Sequence, residues 1–168
     1  MQLTIQDLCS IGEFIAAIAT LATLAYLAIQ VRQNTRALRA STFQEISTAM
    51  SLTSEAIATH PDLVSLVFKG AEGLASLTPE ELHRYNLTFL MIFRRLESVY
   101  VQRTLGSITA ELTGGFERSG ISSIASGGGA EWWETAKPAF AASFVAYIDE
   151  KLAAGSLPVV HPAIDKRK

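Results

Sequence analysis

The sequence predicts an all-α protein in which a single N-terminal transmembrane helix continues into a long helix of a four- to five-helix bundle. Two observations carry this prediction: an early block of apolar residues has no polar face, and apolar residues recur at helical spacing afterwards. No segment alternates with period two for long enough to make a sheet. We therefore divide the chain into a short N-terminal segment (1–10), a transmembrane helix (11–31), a helical cytoplasmic domain (32–154) and a flexible tail (155–168).

Composition narrows the class of protein. The 168 residues are enough to bury a core, and a net charge of −2 gives no overall attraction to nucleic acid, so we expect no nucleic-acid partner. Charged residues make up 18% of the chain, against about 25% in ordinary soluble domains. The single cysteine, Cys9, excludes an internal disulfide and a thiolate metal cluster.

The predicted transmembrane helix rests on the stretch from Phe14 to Ile29, which contains no charged side chain. With Ile11 and Val31 it is about 20 residues, or about 30 Å of helix, which matches the hydrocarbon core of a bilayer. Its Leu, Ile, Phe and Val residues together favour insertion by about 4 kcal/mol. A buried core helix normally keeps one polar face, and a cleaved signal peptide carries its positive charge before the apolar run. The sequence favours a membrane anchor over both alternatives.

Three arginines, Arg32, Arg36 and Arg39, follow the apolar run, and no Lys or Arg precedes it. Positive charge next to a span stays on the cytoplasmic side. We therefore predict a single-pass protein of the cell inner membrane, with the N-terminus outside and the C-terminal domain in the cytoplasm. The spacing puts the three arginines on one helical face, where they are candidates for binding lipid headgroups. The alternative is a solvated face that only sets the topology.

Small and polar residues inside the span suggest self-association. Alanine recurs at positions 16, 19, 22, 25 and 28, which allows helices to approach closely, so we expect a homo-oligomer. If the copies formed a ring, Thr20 and Thr23 would line a pore and Glu13 and Gln30 would stand at its mouths. The candidate pore or helix-contact residues are Glu13, Ala16, Thr20, Thr23 and Gln30.

Beyond the span, the same helix is predicted to continue to about His60, because no proline or glycine interrupts it after Glu13. This arm carries an apolar stripe that cannot be buried by the helix alone. Either the following segments or another copy of the chain must cover it. The stripe consists of Phe43, Ile46, Met50 and Ile57, with Thr53 at the remaining heptad position.

The rest of the domain is predicted to be a series of shorter helices. The first covers residues 62–71. The next, ending near Leu105, begins with a capping box in which Thr78 is the N-cap, Pro79 follows it and Glu81 lies at the third position. Its predicted buried stripe is Leu82, Tyr85, Phe89, Ile92, Phe93, Leu96, Val99 and Tyr100.

The remaining predictions concern segments that contain several glycines. A helix over residues 109–124 is expected to be interrupted at Gly114 and Gly115, since each glycine costs about 1 kcal/mol in a helix interior. The run "SGGGAEWWETAKPAF" predicts a glycine loop, a short helix with Trp132 and Trp133, and a last helix over residues 138–154. The two tryptophans are interpreted as packing anchors, with an interfacial membrane role as the alternative.

Several stretches together resemble a family of bacterial hypothetical proteins with one N-terminal transmembrane helix and a helical cytoplasmic domain. They are "IGEFIAAIATLATLAYLAIQVRQNTRALRAS", "HPDLVSLVFKG", "LTPEE", "RRLESVY" and "WWETAKPAFAASFVAYIDE". The resemblance covers about residues 11–150. It implies the same architecture and assigns no activity.

The search for chemistry in the sequence finds one candidate site. Arg94, Arg95 and Glu97 interrupt an apolar stretch. Of these, Arg94 and Glu97 form, with Tyr100, a candidate buried polar cluster lining a ligand pocket; the alternative is an exposed ion pair. Glu80 and His83 form a single E-x-x-H pair, whereas di-iron bundles need two such pairs and further carboxylates. We therefore expect no catalytic residues, no metal site and no cofactor.

The predicted function is a membrane-anchored helical interaction or scaffold protein that binds membrane lipid and self-associates, without enzymatic activity. A homo-oligomeric pore or channel, with the N-terminal helices lining the pathway, is the second hypothesis. A soluble helical ligand-binding protein is the third.

Overall fold

A computed structural model of the chain describes residues 5–125 and 127–155. These residues form six α-helices and no strand, which confirms the all-α prediction. The helices are α1 (Ile5–Ala58), α2 (Pro61–Glu72), α3 (Pro79–Thr104), α4 (Ala110–Ser122), α5 (Gly127–Ala136) and α6 (Ala142–Ala153). Short 3-10 turns at Leu74–Ser76 and Lys137–Ala139 precede α3 and α6. The predicted tail lies outside the described residues except for Gly155, as do the first four residues of the predicted N-terminal segment.

Helix α1 runs without interruption through the predicted boundaries at residues 10 and 31. It ends shortly before Pro61, the first residue of α2, because a proline cannot donate the backbone hydrogen bond that would continue the helix. By compactness the chain divides into two units, Met1–Ser41 and Thr42–Lys168. In the first unit the described residues are all part of α1. The second unit holds the end of α1 and the other five helices.

Within the second unit, the end of α1 is packed along its predicted apolar stripe. Ile46 is buried in a small cluster with Val99 and Ile108, and Phe43 and Met50 pack against it. Threonines 42 and 53 are buried on the same side of the helix. The following segments of the same chain therefore contact Phe43, Ile46 and Met50 of the predicted stripe.

Helix α3 begins as its sequence predicts. The Thr78 hydroxyl accepts a hydrogen bond from the Glu81 backbone N–H, and the Glu81 carboxylate accepts one from the Thr78 N–H at 2.7 Å. The same carboxylate pairs with Lys69 of α2 at 2.6 Å, so the cap also joins two helices. Five of the eight residues predicted to be buried on α3 are buried, whereas Leu82 is 40% exposed.

The main core is aromatic. Phe89 and Phe93 of α3 stand against Trp132 of α5, with ring centroids 5.2 Å apart in both pairs. Both tryptophans are 1% exposed, as their interpretation as packing anchors requires. Their indole N–H groups donate to polar partners at the edge of the core, Trp132 to Asn86 at 2.9 Å and Trp133 to Asp149 at 2.7 Å. This placement satisfies the one polar atom of each ring.

Three details of the shorter helices differ from the prediction. Helix α4 continues through Gly114 and Gly115 without a break. The predicted glycine loop is the first turn of α5, where Gly128 and Gly129 are buried against backbone. The last helix begins at Ala142, because Lys137–Ala139 forms a 3-10 turn around Pro138. The intrinsic helix propensities of these residues predicted a different boundary in each case, and packing between the helices overrides them here.

Candidate functional site

The first candidate site is the apolar surface of α1. Every residue from 11 to 29 is exposed, including large side chains on all sides of the helix, such as Phe14 and Leu21, each 67% exposed. The helix is long and apolar enough to cross a membrane, and no part of its apolar window is buried in the chain. A signal sequence or the core helix of a soluble protein can have the same length and apolar composition.

The candidate helix-contact residues lie along one face of α1. Glu13, Ala16, Thr20 and Thr23 are exposed, and Gln30 is partly buried. The Thr20 hydroxyl donates to the Ala16 carbonyl and the Thr23 hydroxyl to the Ala19 carbonyl, both at 2.8 Å. Both hydroxyl protons are therefore satisfied inside the helix, and each oxygen keeps a lone pair that can accept a bond from another molecule.

The three arginines of the candidate headgroup stripe, Arg32, Arg36 and Arg39, are exposed on α1. Their spacing of four and three residues gives them a common face. Guanidinium groups bind phosphate through paired N–H donors, so this face has the chemistry required for a phospholipid headgroup.

The predicted polar cluster is only partly assembled. Arg94 and Glu97 form an ion pair at 2.8 Å. Both also hold the chain that leads into α6: Arg94 donates to the Ala139 carbonyl at 2.7 Å, and Glu97 accepts the Ala141 N–H at 2.8 Å. Tyr100 contacts a different group, the rings of Phe144 and Tyr147. Glu97 thus satisfies the N–H of Ala141, the N-cap residue of α6, which has no capping side chain of its own.

A cavity of about 180 Å³, open to solvent on one side, lies beside Arg94 between the end of α1 and α3. Its other lining residues are Ile46, Ala49, Met50, Arg95, Ser98 and Val99. Arg95 makes no ion pair or hydrogen bond with any described residue, and its Nε atom is buried without a partner. Leaving a buried donor unsatisfied costs about 1–3 kcal/mol. Sequence reasoning singled out the neighbouring Arg94 and missed Arg95, whose only signal was its place in an apolar run.

A second polar network escaped the sequence analysis entirely. Arg103 of α3 donates to both carboxylate oxygens of Glu117 of α4, at 2.7 and 2.9 Å. Tyr147 of α6 donates to the same carboxylate at 2.8 Å, and the Arg103 guanidinium lies 4.7 Å from the centre of the Tyr147 ring. Burial raises the pKa of Tyr147, which keeps its phenol protonated and able to donate. This network ties three helices together.

The carboxylates and histidines in the part of the chain that the structure describes are dispersed. No group of three or more His, Cys, Asp or Glu side chains there is placed to hold a metal ion. Glu80 and His83 are both exposed in the first turns of α3.

Comparisons of the chain with protein-family models, with curated proteins and with solved structures find no significant match. The resemblance to the bacterial family therefore stays a prediction.

Proposed function

We propose that this chain is a membrane-anchored scaffold protein: the first part of α1 crosses the inner membrane and the helical domain lies on the cytoplasmic side. One observation carries the proposal. Nineteen consecutive residues, 11–29, are exposed in a helix that has no charge between Phe14 and Ile29. A surface of this size and polarity is stable in lipid and costly in water.

The anchor is tested by membrane fractionation of charge variants. Replacing Leu21 and Leu24 together by Arg costs about 5–7 kcal/mol in the membrane, more than the roughly 4 kcal/mol that the apolar residues contribute. The Leu21→Arg/Leu24→Arg variant is expected to leave the membrane fraction. The matched control is Leu38→Arg/Leu52→Arg, which changes two equally exposed leucines of α1 beyond the predicted span. Loss of both variants from the membrane, or of neither, contradicts a span at residues 11–31.

The orientation is tested with the chain's single cysteine. Cys9 is exposed and precedes the proposed span, so a membrane-impermeant maleimide is expected to label it in intact spheroplasts. A Cys9→Ser/Ser119→Cys variant moves the thiol to an exposed position of α4 and is expected to react only after lysis. The reverse pattern would place the helical domain outside the cytoplasm.

We further propose that copies associate through the span. Support comes from Ala16 and Ala19, which lie beside Thr20 and Thr23 on the helix surface and permit close contact between helices. Part of the stripe at the end of α1, Ile46 with Phe43 and Met50, is already packed within the chain's own domain. Self-association is therefore assigned to the face of Ala16, Thr20 and Thr23.

Mass measurement in lipid nanodiscs tests this contact. Ala16→Phe/Thr20→Phe is expected to reduce an oligomer to monomers, whereas Ile18→Phe/Ala25→Phe, on the opposite side of the helix, should leave it intact. A monomer in the unmodified protein rejects self-association and the pore together. A closed ring with measurable conductance would favour the pore over the scaffold.

A further inference from the structure

The cavity between the end of α1 and α3 has an unusual charge balance. Arg94 and Arg95 both line it. The charge of Arg94 is compensated by Glu97 and by the Ala139 carbonyl. Arg95 makes no ion pair with any described residue, so its charge is not neutralised by a direct carboxylate contact there.

Arg95 has unused hydrogen-bonding capacity. Its side chain is partly buried, and its Nε atom is buried without a hydrogen-bond partner among the described residues. A guanidinium with unused N–H donors can bind a carboxylate through two parallel hydrogen bonds.

The rest of the lining selects among anions. Ile46, Ala49, Met50 and Val99 present apolar surface, and Ser98 adds one hydroxyl. Inorganic phosphate has no apolar part to place against these groups, so it gains nothing from them, whereas an organic anion does. A carboxylate attached to an apolar body satisfies both halves of the cavity. A volume of about 180 Å³ is close to that of cavities that accept one benzene ring.

We propose that this cavity binds a small organic monocarboxylate, with the carboxylate on Arg95 and the Ser98 hydroxyl and the apolar body against Ile46 and Met50. This site is independent of the proposed membrane anchor, since all its residues belong to the second unit.

Benzoate is a suitable probe, and the chain contains its own reporters. Met50 lines the cavity and Met91 does not. In full-length protein labelled with ¹³C at the methionine methyl groups, benzoate is expected to shift the Met50 signal saturably, with a Kd in the millimolar range or tighter. The Met91 signal should stay in place. Benzyl alcohol, of similar size and without charge, should bind at least about tenfold more weakly, and phosphate should not shift Met50.

Substitutions test whether Arg95 and the cavity itself are responsible for benzoate binding. Arg95→Gln is expected to weaken benzoate binding at least about tenfold, whereas Arg118→Gln, which removes an exposed arginine of α4, should have no effect. Ala49→Leu keeps the charge and fills the cavity, so it should also weaken binding and decides the matter if Arg95→Gln fails to fold. The proposal is overturned if Met50 does not respond, if Met91 responds equally, if benzyl alcohol or phosphate matches benzoate, or if Ala49→Leu binds normally.

Discussion

Gly70 of α2 lies so close to Tyr85 of α3 that a Cβ atom on Gly70 would be 2.3 Å from Cε2 of the tyrosine ring. The ring has no room to withdraw, because Tyr85 is fully buried and stacks on Phe89 with a centroid distance of 4.4 Å. The absence of a side chain at position 70 is therefore what allows α2 and α3 to meet at this point.

We expect Gly70→Ala to lower the free energy of unfolding by about 1–3 kcal/mol, the usual cost of forcing an extra methyl group into a packed core. The matched control is Gly115→Ala in α4, where an added Cβ meets nothing within 4 Å. That change should raise stability by about 0.5–1 kcal/mol through helix propensity. Scanning calorimetry measures both. Equal effects of the two variants would mean that the Gly70 contact is not limiting.

Tyr85→Phe is expected to leave stability at neutral pH unchanged or to raise it by up to about 1 kcal/mol, because the buried Tyr85 hydroxyl has no hydrogen-bond partner among the described residues. Burial, with a smaller effect of Glu131, raises the pKa of Tyr85 from 10.0 to about 12. The unfolded chain therefore loses this proton first, and stability falls as the pH rises from 10 to 12.

The same Tyr85→Phe variant should show a flatter decline in melting temperature over that alkaline range. Tyr147→Phe provides the contrast, since the Tyr147 hydroxyl donates to Glu117 and its loss should cost about 1 kcal/mol at neutral pH. A clear loss of stability in Tyr85→Phe at pH 7 would show that its hydroxyl has a partner in solution.

Glu117→Gln is expected to destabilise the domain by about 2–3 kcal/mol, because it leaves the Arg103 guanidinium without its counter-charge in a mostly buried place. The comparison is Asp62→Asn, which breaks the ion pair between Asp62 and Arg84 on the surface. Water screens that pair, so its loss should have a much smaller effect. Calorimetry under identical conditions ranks the two variants, and the reverse order would contradict a structural role for the network.

Glu81 should make the domain sensitive to acid. The ion pair with Lys69 and the bond from the Thr78 N–H lower the pKa of Glu81 from 4.5 to about 2. The stabilisation from its charge is complete above pH 4.5 and is lost as the pH falls towards 2. The melting temperature of Glu81→Gln should therefore change less over this range than that of the parent. Glu111→Gln, at the start of a helix without a side-chain cap, should retain the parent's acid response.

The capping box of α3 was predictable because all its atoms come from four consecutive residues. Thr78 and Glu81 identify a helix start whatever the rest of the chain does. The continuity of α1 was predictable for a similar reason, since only a local proline or glycine ends such a helix. Predictions of this kind depend on spacing along the chain, which the sequence contains in full.

The Arg103–Glu117–Tyr147 network was not predictable in this way. Its members are 14 and 30 residues apart and come from three helices whose mutual packing no local pattern encodes. The first turn of α5 is a similar case, because Gly128 is helical where its missing side chain lets it touch the Gly70 carbonyl. In the sequence, a run of glycines predicts a loop, because the neighbouring backbone that leaves no room for a side chain is not apparent.

The position of the two indoles has a practical consequence. Trp132 and Trp133 are the chain's two tryptophans, and both are buried next to each other in α5. The intrinsic fluorescence of the intact protein therefore originates in the interior of the helical domain, while residues 1–41 contribute no tryptophan emission. A red shift of that emission reports the opening of this core alone, even when the chain is embedded in detergent or lipid. The protein thus carries a built-in optical signal that separates unfolding of the domain from changes around the apolar helix.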